Sequence, residues 1–413
     1  MRTCSLLIFW AICNVGSTHA QSTGEWVQKA NTLYEQDKKQ EAKVLYEKAA
    51  LLNNTDAHFY LAYRYALADD DRLFHFKQAA LKGHGEAMSY FLDEAFFRQN
   101  NFFKTDPFSI LAVYEKGKQA NPAMQFYNEA ERIRSIKYAA EAGPFDANAF
   151  VKKYGIDTGK MNQFYSVWEI AEVASQRKGR FADVDNKLLL QLISRGGGVP
   201  AELIIAIDTA YKVWKGKRKF EFNICHYVTS GYGMGYCARR GAADSEVQIN
   251  KRLTQLTAGL KNGGGKYLKP AYKATANFLE AKVWNEELHG GSGYAAWATE
   301  SLVKQKKEFV QLIENLNNGK LPKGVAEIKD NDARLNGVYN DVLIKLRKKP
   351  LTDFNAEVNA DGLRKTQRLW IPYRDAMVTL LYAIKPDIPK QQWSNWVTEQ
   401  RIRELEALLN YRQ

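Results

Sequence analysis

Leu363-Arg364-Lys365-Thr366-Gln367-Arg368-Leu369-Trp370-Ile371-Pro372-Tyr373-Arg374-Asp375, read on to Leu381, decides the fold. Leu363, Gln367, Trp370, Ile371, Arg374, Val378 and Leu381 step through i, i+4, i+7, i+8, i+11, i+15 and i+18. That is a single helical face with Trp370 as its core anchor. Arg374, one turn further on, is placed to stack on the indole, a contact of about 0.5 to 2 kcal/mol. Pro372 sits inside the helix, removes one backbone donor and predicts a bend.

Working outward, the same layout occurs twice. Arg334-Leu335-Asn336 echoes Arg252-Leu253-Thr254, and each precedes a longer helix with an aromatic centre: Phe278 and Trp284 in one, Trp370 and Tyr373 in the other. Trp297-Ala298-Thr299-Glu300 leads into Lys306 to Leu316 as Trp396-Val397-Thr398-Glu399 leads into Arg401 to Leu409. The echo predicts a duplication. Asn317-Asn318-Gly319-Lys320-Leu321-Pro322 is the expected linker, since it joins a helix-ending glycine to a proline. Upstream, Arg195-Gly196-Gly197-Gly198-Val199-Pro200 breaks the chain, and Pro200 opens a helix with Leu203, Ile207, Tyr211 and Trp214 on one face. Two helical-bundle modules are therefore expected, at 200–318 and 319–413, behind a helical connector at 151–199.

Asp332-Ala333-Arg334-Leu335-Asn336-Gly337-Val338-Tyr339 followed by Gln367-Arg368-Leu369-Trp370-Ile371-Pro372-Tyr373-Arg374-Asp375 resembles the signature of the LprI-like lysozyme inhibitor family. The segment from Cys225 to Cys237, with Thr229 and Met234, resembles the cysteine-bearing start of the same module, and Gly290-Gly291-Ser292 resembles its Gly-Gly-Ser loop. The resemblance implies a helical bundle that binds a lysozyme-like enzyme. Leu335, Tyr339, Gln367, Trp370, Tyr373, Arg374 and Asp375 are its signature positions, read as structural. Tyr232, Met234, His289 and Ser292 are the candidate interaction residues. The first copy departs from the pattern, with Thr275-Ala276-Asn277-Phe278 in place of Gln-Arg-x-Trp, and Met377 and Val378 stand where many relatives carry an acidic residue or a cysteine.

Residues 21–150 read as a second helical region, rich in Ala, Tyr, Phe and Leu at helical spacing. One phrase recurs: Tyr46-Glu47-Lys48-Ala49-Ala50 with Ala57, Phe76-Lys77-Gln78-Ala79-Ala80 with Gly83 and Ala87, and Ile136-Lys137-Tyr138-Ala139-Ala140 with Gly143 and Ala147. The alanines allow helices to approach closely while the aromatics fill the space between hairpins. The phrase resembles the Sel-type branch of the tetratricopeptide repeats, which implies a concave surface for a protein partner; an irregular helical domain with no groove is the alternative reading. Asn53-Asn54 replaces the glycine expected in the first unit. The fold class expected for the whole chain is all-α.

The amino terminus reads as an address. Arg2, the apolar run Leu6 to Ala11 and Thr18-His19-Ala20 follow the order of a secretory signal cleaved after Ala20. The apolar run is too short for a membrane anchor, which needs about 20 residues, and bulky Ile12 argues against a lipid on Cys13. Export predicts a periplasmic or secreted protein. Loss of Arg2 lowers the formal charge of +13 to +12, still clearly basic. Because an exported protein rarely meets nucleic acid, the excess points to an acidic partner or the cell wall, or, spread along the whole chain, is equally a solvated surface. Cys225 and Cys237 remain after cleavage and read as a disulfide in an oxidising compartment. A metal site with His226 is the rival, but it has three ligands and no fourth.

Chemistry-bearing patterns are weak. Gly231-Tyr232-Gly233-Met234-Gly235 lacks the spacing of a nucleotide loop and reads as a tight turn; Gly263-Gly264-Gly265-Lys266 ends in Tyr267, where a phosphate loop needs Ser or Thr. His58, His75, His84, His226 and His289 form no metalloprotease motif, and Glu286-Glu287 and Asp69-Asp70-Asp71 are adjacent carboxylates, which do not share a helical face. No catalytic residue, metal or cofactor is expected. The favoured function is an exported inhibitor or immunity-type protein that occludes a lysozyme-like cell-wall hydrolase. An envelope scaffold using the repeats and an unrecognised carbohydrate-active enzyme are the alternatives.

Overall fold

The computed structural model describes residues 22–98, 102–103, 105–161, 165–325, 331–354 and 356–411. The signal-sequence reading at 1–20 lies outside these residues. The described residues are helical apart from one short hairpin, as the all-α reading requires. The chain divides into two compact units, Met1–Tyr227 and Val228–Gln413.

The first unit holds α1 (Thr23–Glu35), α2 (Lys39–Leu51), α3 (Thr55–Arg64), α4 (Asp69–Ala80), α5 (Gly85–Leu92), α6 (Pro107–Ala120), α7 (Glu129–Glu141), α8 (Ala147–Tyr154), α9 (Ser166–Ser175), α10 (Asn186–Ile193) and α11 (Pro200–Lys215). Successive helices from α1 to α5 pack on one another. The recurring alanines are where close approach demands them: Ala49, Ala79 and Ala139 are wholly buried on α2, α4 and α7. The turn after each of these helices is the same. The amides of Asn53, Gly83 and Gly143 donate to the carbonyls of Ala50, Ala80 and Ala140 at 2.8, 2.9 and 2.8 Å. All three residues adopt positive φ, at 61°, 80° and 81°. Asn53 thus departs from glycine in identity but not in backbone, because asparagine tolerates the left-handed region better than other side chains. Between α5 and α7 the pattern lapses: a π-helical turn at Asp93–Phe97 and the single helix α6 occupy the interval.

The boundary between units at Tyr227 falls inside the stretch 200–318 that the sequence reading treats as one module. The physical reason is α11, which packs on α10 and α7 and buries Leu203, Ala206 and Ile207 completely. Tyr211 and Trp214 lie at the edge of that face; Tyr211 stacks on Tyr138 with centroids 3.6 Å apart.

The second unit holds α12 (Gly231–Gly259), α13 (Gly265–Glu286), α14 (Tyr294–Asn317), α15 (Asp332–Lys348), the strands β1 (Leu351–Asp353) and β2 (Ala356–Val358), α16 (Ala360–Ile384) and α17 (Lys390–Asn410). β1 and β2 pair antiparallel with Leu351 opposite Val358; the sequence reading did not foresee this hairpin. α12 packs on α14 as α15 packs on α17, and α13 packs on α16. Two cores result. One joins Ile249, Leu268, Ala271, Val310 and Ile313 to Met377 and Leu381 from the second half of α16. The other joins Leu335, Val342, Leu363, Trp370 and Leu405 to Phe278 and Leu279 from the second half of α13. Each central helix serves one core with its first half and the other core with its second, so 228–413 packs as one body.

α16 carries the expected face, with Leu363, Trp370 and Leu381 buried and Arg374 5.2 Å from the Trp370 ring. Ile371 is exposed and Met377 takes the inward position instead, because the buried stripe runs through 370, 377, 380, 381 and 384. The helix is not ended by Pro372, and α13 likewise contains Pro270. Trp284, read as an aromatic centre, is 40% exposed; Phe278 holds that role.

Candidate functional site

The residues singled out as candidate contacts gather at one end of the second unit, where the loop between α13 and α14 meets the first turn of α12 and the hairpin. Gly231–Gly235 is not a tight turn but the opening of α12: Ser230 caps the helix by accepting from the Gly233 amide at 3.1 Å. The caps and glycines explain why. A side chain supplies the first acceptor, and Gly231 lies so close to the loop that a Cβ there would meet the Ser292 carbonyl oxygen at 2.0 Å. Tyr232 is exposed beside this contact, Ser292 is exposed in the loop, His289 is half-buried, and Met234 is half-buried in the first turn of α12. Three of the four candidates therefore lie in or beside the loop, and Met234 stands one helical turn in.

The loop is held from several directions. Glu287 ends α13, and its carboxylate accepts from Ser301 at 2.5 Å and Gln305 at 2.7 Å, both on α14, and contacts His289 Nε2 at 3.1 Å. Gly290 admits the Asp353 side chain of the hairpin, since a Cβ there would stand 2.2 Å from its carboxylate. Gly291 takes φ of 88°, which suits glycine, and the Trp297 ring covers Gly293. Phe354 at the hairpin tip is 87% exposed.

Behind the loop lies a cleft of about 370 Å³ lined by Lys282, Glu286, Glu287, His289, Glu404 and Tyr411 among others. Glu286 in its wall is held by a buried ion pair: Arg401 donates two hydrogen bonds to it at 2.6 and 2.7 Å. Arg401 also bonds Gln367 at 3.0 Å and Glu404 at 3.1 Å, and Lys282 bonds Glu404 at 2.6 Å and Gln305 at 2.7 Å. Burial holds the Glu286 carboxyl above its ordinary value, and the facing guanidinium offsets only part of that. Burial alone would lower Arg401, but Glu286 and then Glu404 hold it above its ordinary value. Two short parallel bonds require a carboxylate and a guanidinium, so we take the pair as charged. Each cleft carboxylate is thus engaged as an acceptor, which suits a lock between helices. Among the described residues no group of three His, Cys, Asp or Glu side chains is placed to hold a metal ion.

The seven positions that carry the sequence resemblance fall in different surroundings. Leu335 and Trp370 are buried, Tyr339 is half-buried, Gln367 receives Arg401, and Tyr373 stacks on Phe278 at 4.7 Å. Arg374 bonds the exposed Asp375 at 3.0 Å while covering Trp370. Cys225 and Cys237 are joined in a disulfide. Sequence reasoning missed Glu286–Arg401, whose partners lie 115 residues apart. The available signal was Arg401 at i+4 from Val397 and i+8 from Trp393, on the buried face of α17.

The arrangement defines a helical unit with an exposed loop end held by contacts to α14, the start of α12 and the hairpin, and no uncommitted carboxylate in the adjoining cleft. Residues 324–405, which take in α15, the hairpin, α16 and most of α17, match the model of the family described as lysozyme inhibitor LprI. No curated protein and no solved structure matches the chain.

Proposed function

We propose that the chain is an exported inhibitor or immunity-type protein that blocks a lysozyme-like cell-wall hydrolase by steric occlusion. The observation that carries this reading is the match of 324–405 to the lysozyme inhibitor LprI family. The geometry of the same unit supports it. A loop already held in one conformation loses little freedom on binding, and affinity gains from that preorganisation. Glycosidases work in a cleft between two carboxylates. The Leu288–Gly293 loop, with Ser292 and Tyr232 at its surface, is the element we assign to filling that cleft. Residues 1–20 act as a cleaved secretory signal and the protein works in the periplasm or outside the cell; no helix of the described residues is long and apolar enough to cross a membrane. In this reading the α12–α14 and α15–α17 halves descend from one duplicated unit, and the amino-terminal repeats enlarge the contact with the partner.

The test is lysis of peptidoglycan by a muramidase, followed as loss of turbidity, with purified mature protein in increasing ratio. Slowed lysis that saturates with added protein is expected. Unchanged lysis at large molar excess across several muramidases sinks the inhibitor reading.

A further inference from the structure

In the first unit, α3 and α4 present two imidazoles to each other. His58 Nδ1 lies 2.8 Å from His75 Nδ1, with ring centroids 5.0 Å apart. His58 is 4% exposed, and its Nε2 is buried without a hydrogen-bond partner. The Phe74 ring stands edge-on to both, at 6.1 and 5.4 Å. Two neutral imidazoles at this separation share one proton, one nitrogen donating and the other accepting. A second proton turns the acceptor into a donor and sets two N–H groups face to face. It also buries a cation beside an apolar ring edge.

The charges around the pair do not favour that cation at His58. Lys82, in the turn after α4, repels it, and the Ala50 carbonyl at the end of α2 is its compensating dipole. Glu47 on α2 and Asp71 on α4 face His75 instead. His84, at the start of α5, stacks on Phe59 at 4.4 Å and has Asp56 as its carboxylate neighbour. Burial, then His75 and Lys82, push His58 down to about 4, and burial lowers His75.

α4 has a second face. Asp69, Arg72, Phe74 and Lys77 wall a groove of about 860 Å³, closed on its far side by Glu94 and Ile110. We propose that His58 and His75 form an acid-sensitive latch that holds α4 on α3 at neutral pH and frees this groove-walling helix when the pair takes up a second proton. The sign follows from linkage. The unfolded chain binds protons at these histidines below about pH 6.5 while the folded pair resists them, so stability is lost as pH falls from that value towards the folded midpoint.

The experiment uses the full mature protein with ring-labelled histidine. An NMR titration should place the His58 midpoint well below that of an ordinary histidine, at about 4. Hydrogen exchange, normalised to intrinsic rates, should show protection in α3 and α4 falling about tenfold more than in α13 and α16 between about pH 7 and 4.5. His75→Gln keeps an amide opposite His58 and removes one titration and one repulsive neighbour; it should raise the His58 midpoint and shrink the differential loss, while burial still holds that midpoint below an ordinary histidine's. Ordinary midpoints for both histidines, or equal loss of protection in the four helices, overturns the latch; should His75→Gln fail to fold, these two wild-type readings still decide.

Discussion

Arg401→Met tests whether the buried pair under the loop end holds the second unit together. The substitution keeps an unbranched apolar stem but removes the guanidinium from a site where it is wholly buried, and it strands Glu286, itself 6% exposed. Removing one partner of a buried pair costs about 3 to 5 kcal/mol, because the other charge is left uncompensated. At about 2 to 4 °C per kcal/mol for a domain of this size, the unit's transition falls by roughly 6 to 20 °C. Exchange of α13, α16 and α17 amides in the full-length protein reads this unit separately from the first. Two further arms sharpen the test. Glu286→Leu with Arg401→Met together should recover most of the loss, since replacing both charges by apolar groups is often close to neutral. In the single variant, burial without Arg401 raises the Glu286 carboxyl further, so its protonation removes the stranded charge as pH falls. The deficit relative to wild type should therefore shrink from about pH 8 to pH 5. A loss below about 1 kcal/mol, or a double variant as unstable as the single, refutes the reasoning.

Gly231→Ala forces the start of α12 away from the Ser292 carbonyl and should cost about 1 to 3 kcal/mol, with weaker inhibition if the loop is the occluding element. Gly241→Ala in the same helix meets nothing within 4 Å and should instead stabilise by about 0.5 to 1 kcal/mol; thermal melting separates the two. Reducing the Cys225–Cys237 bond should lower stability by roughly 3 kcal/mol if the loop-closure account holds, and titratable thiols in the oxidised folded protein would contradict the pairing.

What the sequence made legible was periodicity and local backbone demand. The stripe through Leu363, Trp370 and Leu381, the start of α11 at Pro200 and the buried alanines of α2, α4 and α7 all follow from spacing within one helix. Asn53 reads as a departure from the recurring phrase because residue identity, not φ, is what a sequence displays. The first turn of α12 reads as a turn in sequence because its glycines outweigh the Ser230 cap, and one of them, Gly231, lies directly against Ser292. The hairpin is not legible in the sequence because each strand has three residues, too few for alternation to stand out. Its signal was Pro350 just after the end of α15, followed by apolar Leu351 and by the alternation of Ala356 and Val358 about Glu357. Glu286–Arg401 and His58–His75 depend on which helices meet, and no spacing rule carries that.

Glu286 and Glu287 show how one sequence feature changes meaning in the fold. Neighbours on a helix point apart, which makes them poor partners for acid–base work. The same divergence lets the end of α13 bind two helices at once: Glu286 turns to Arg401 on α17, and Glu287 turns to Ser301 and Gln305 on α14. The loop leaves directly from this doubly anchored end, so its position depends on both locks. Arg401→Met should therefore raise exchange in the 288–293 loop as well as in the core helices. Loss confined to the core, with the loop unchanged, would mean that Glu287, Asp353 and the Ser292 contact hold the loop without help from below.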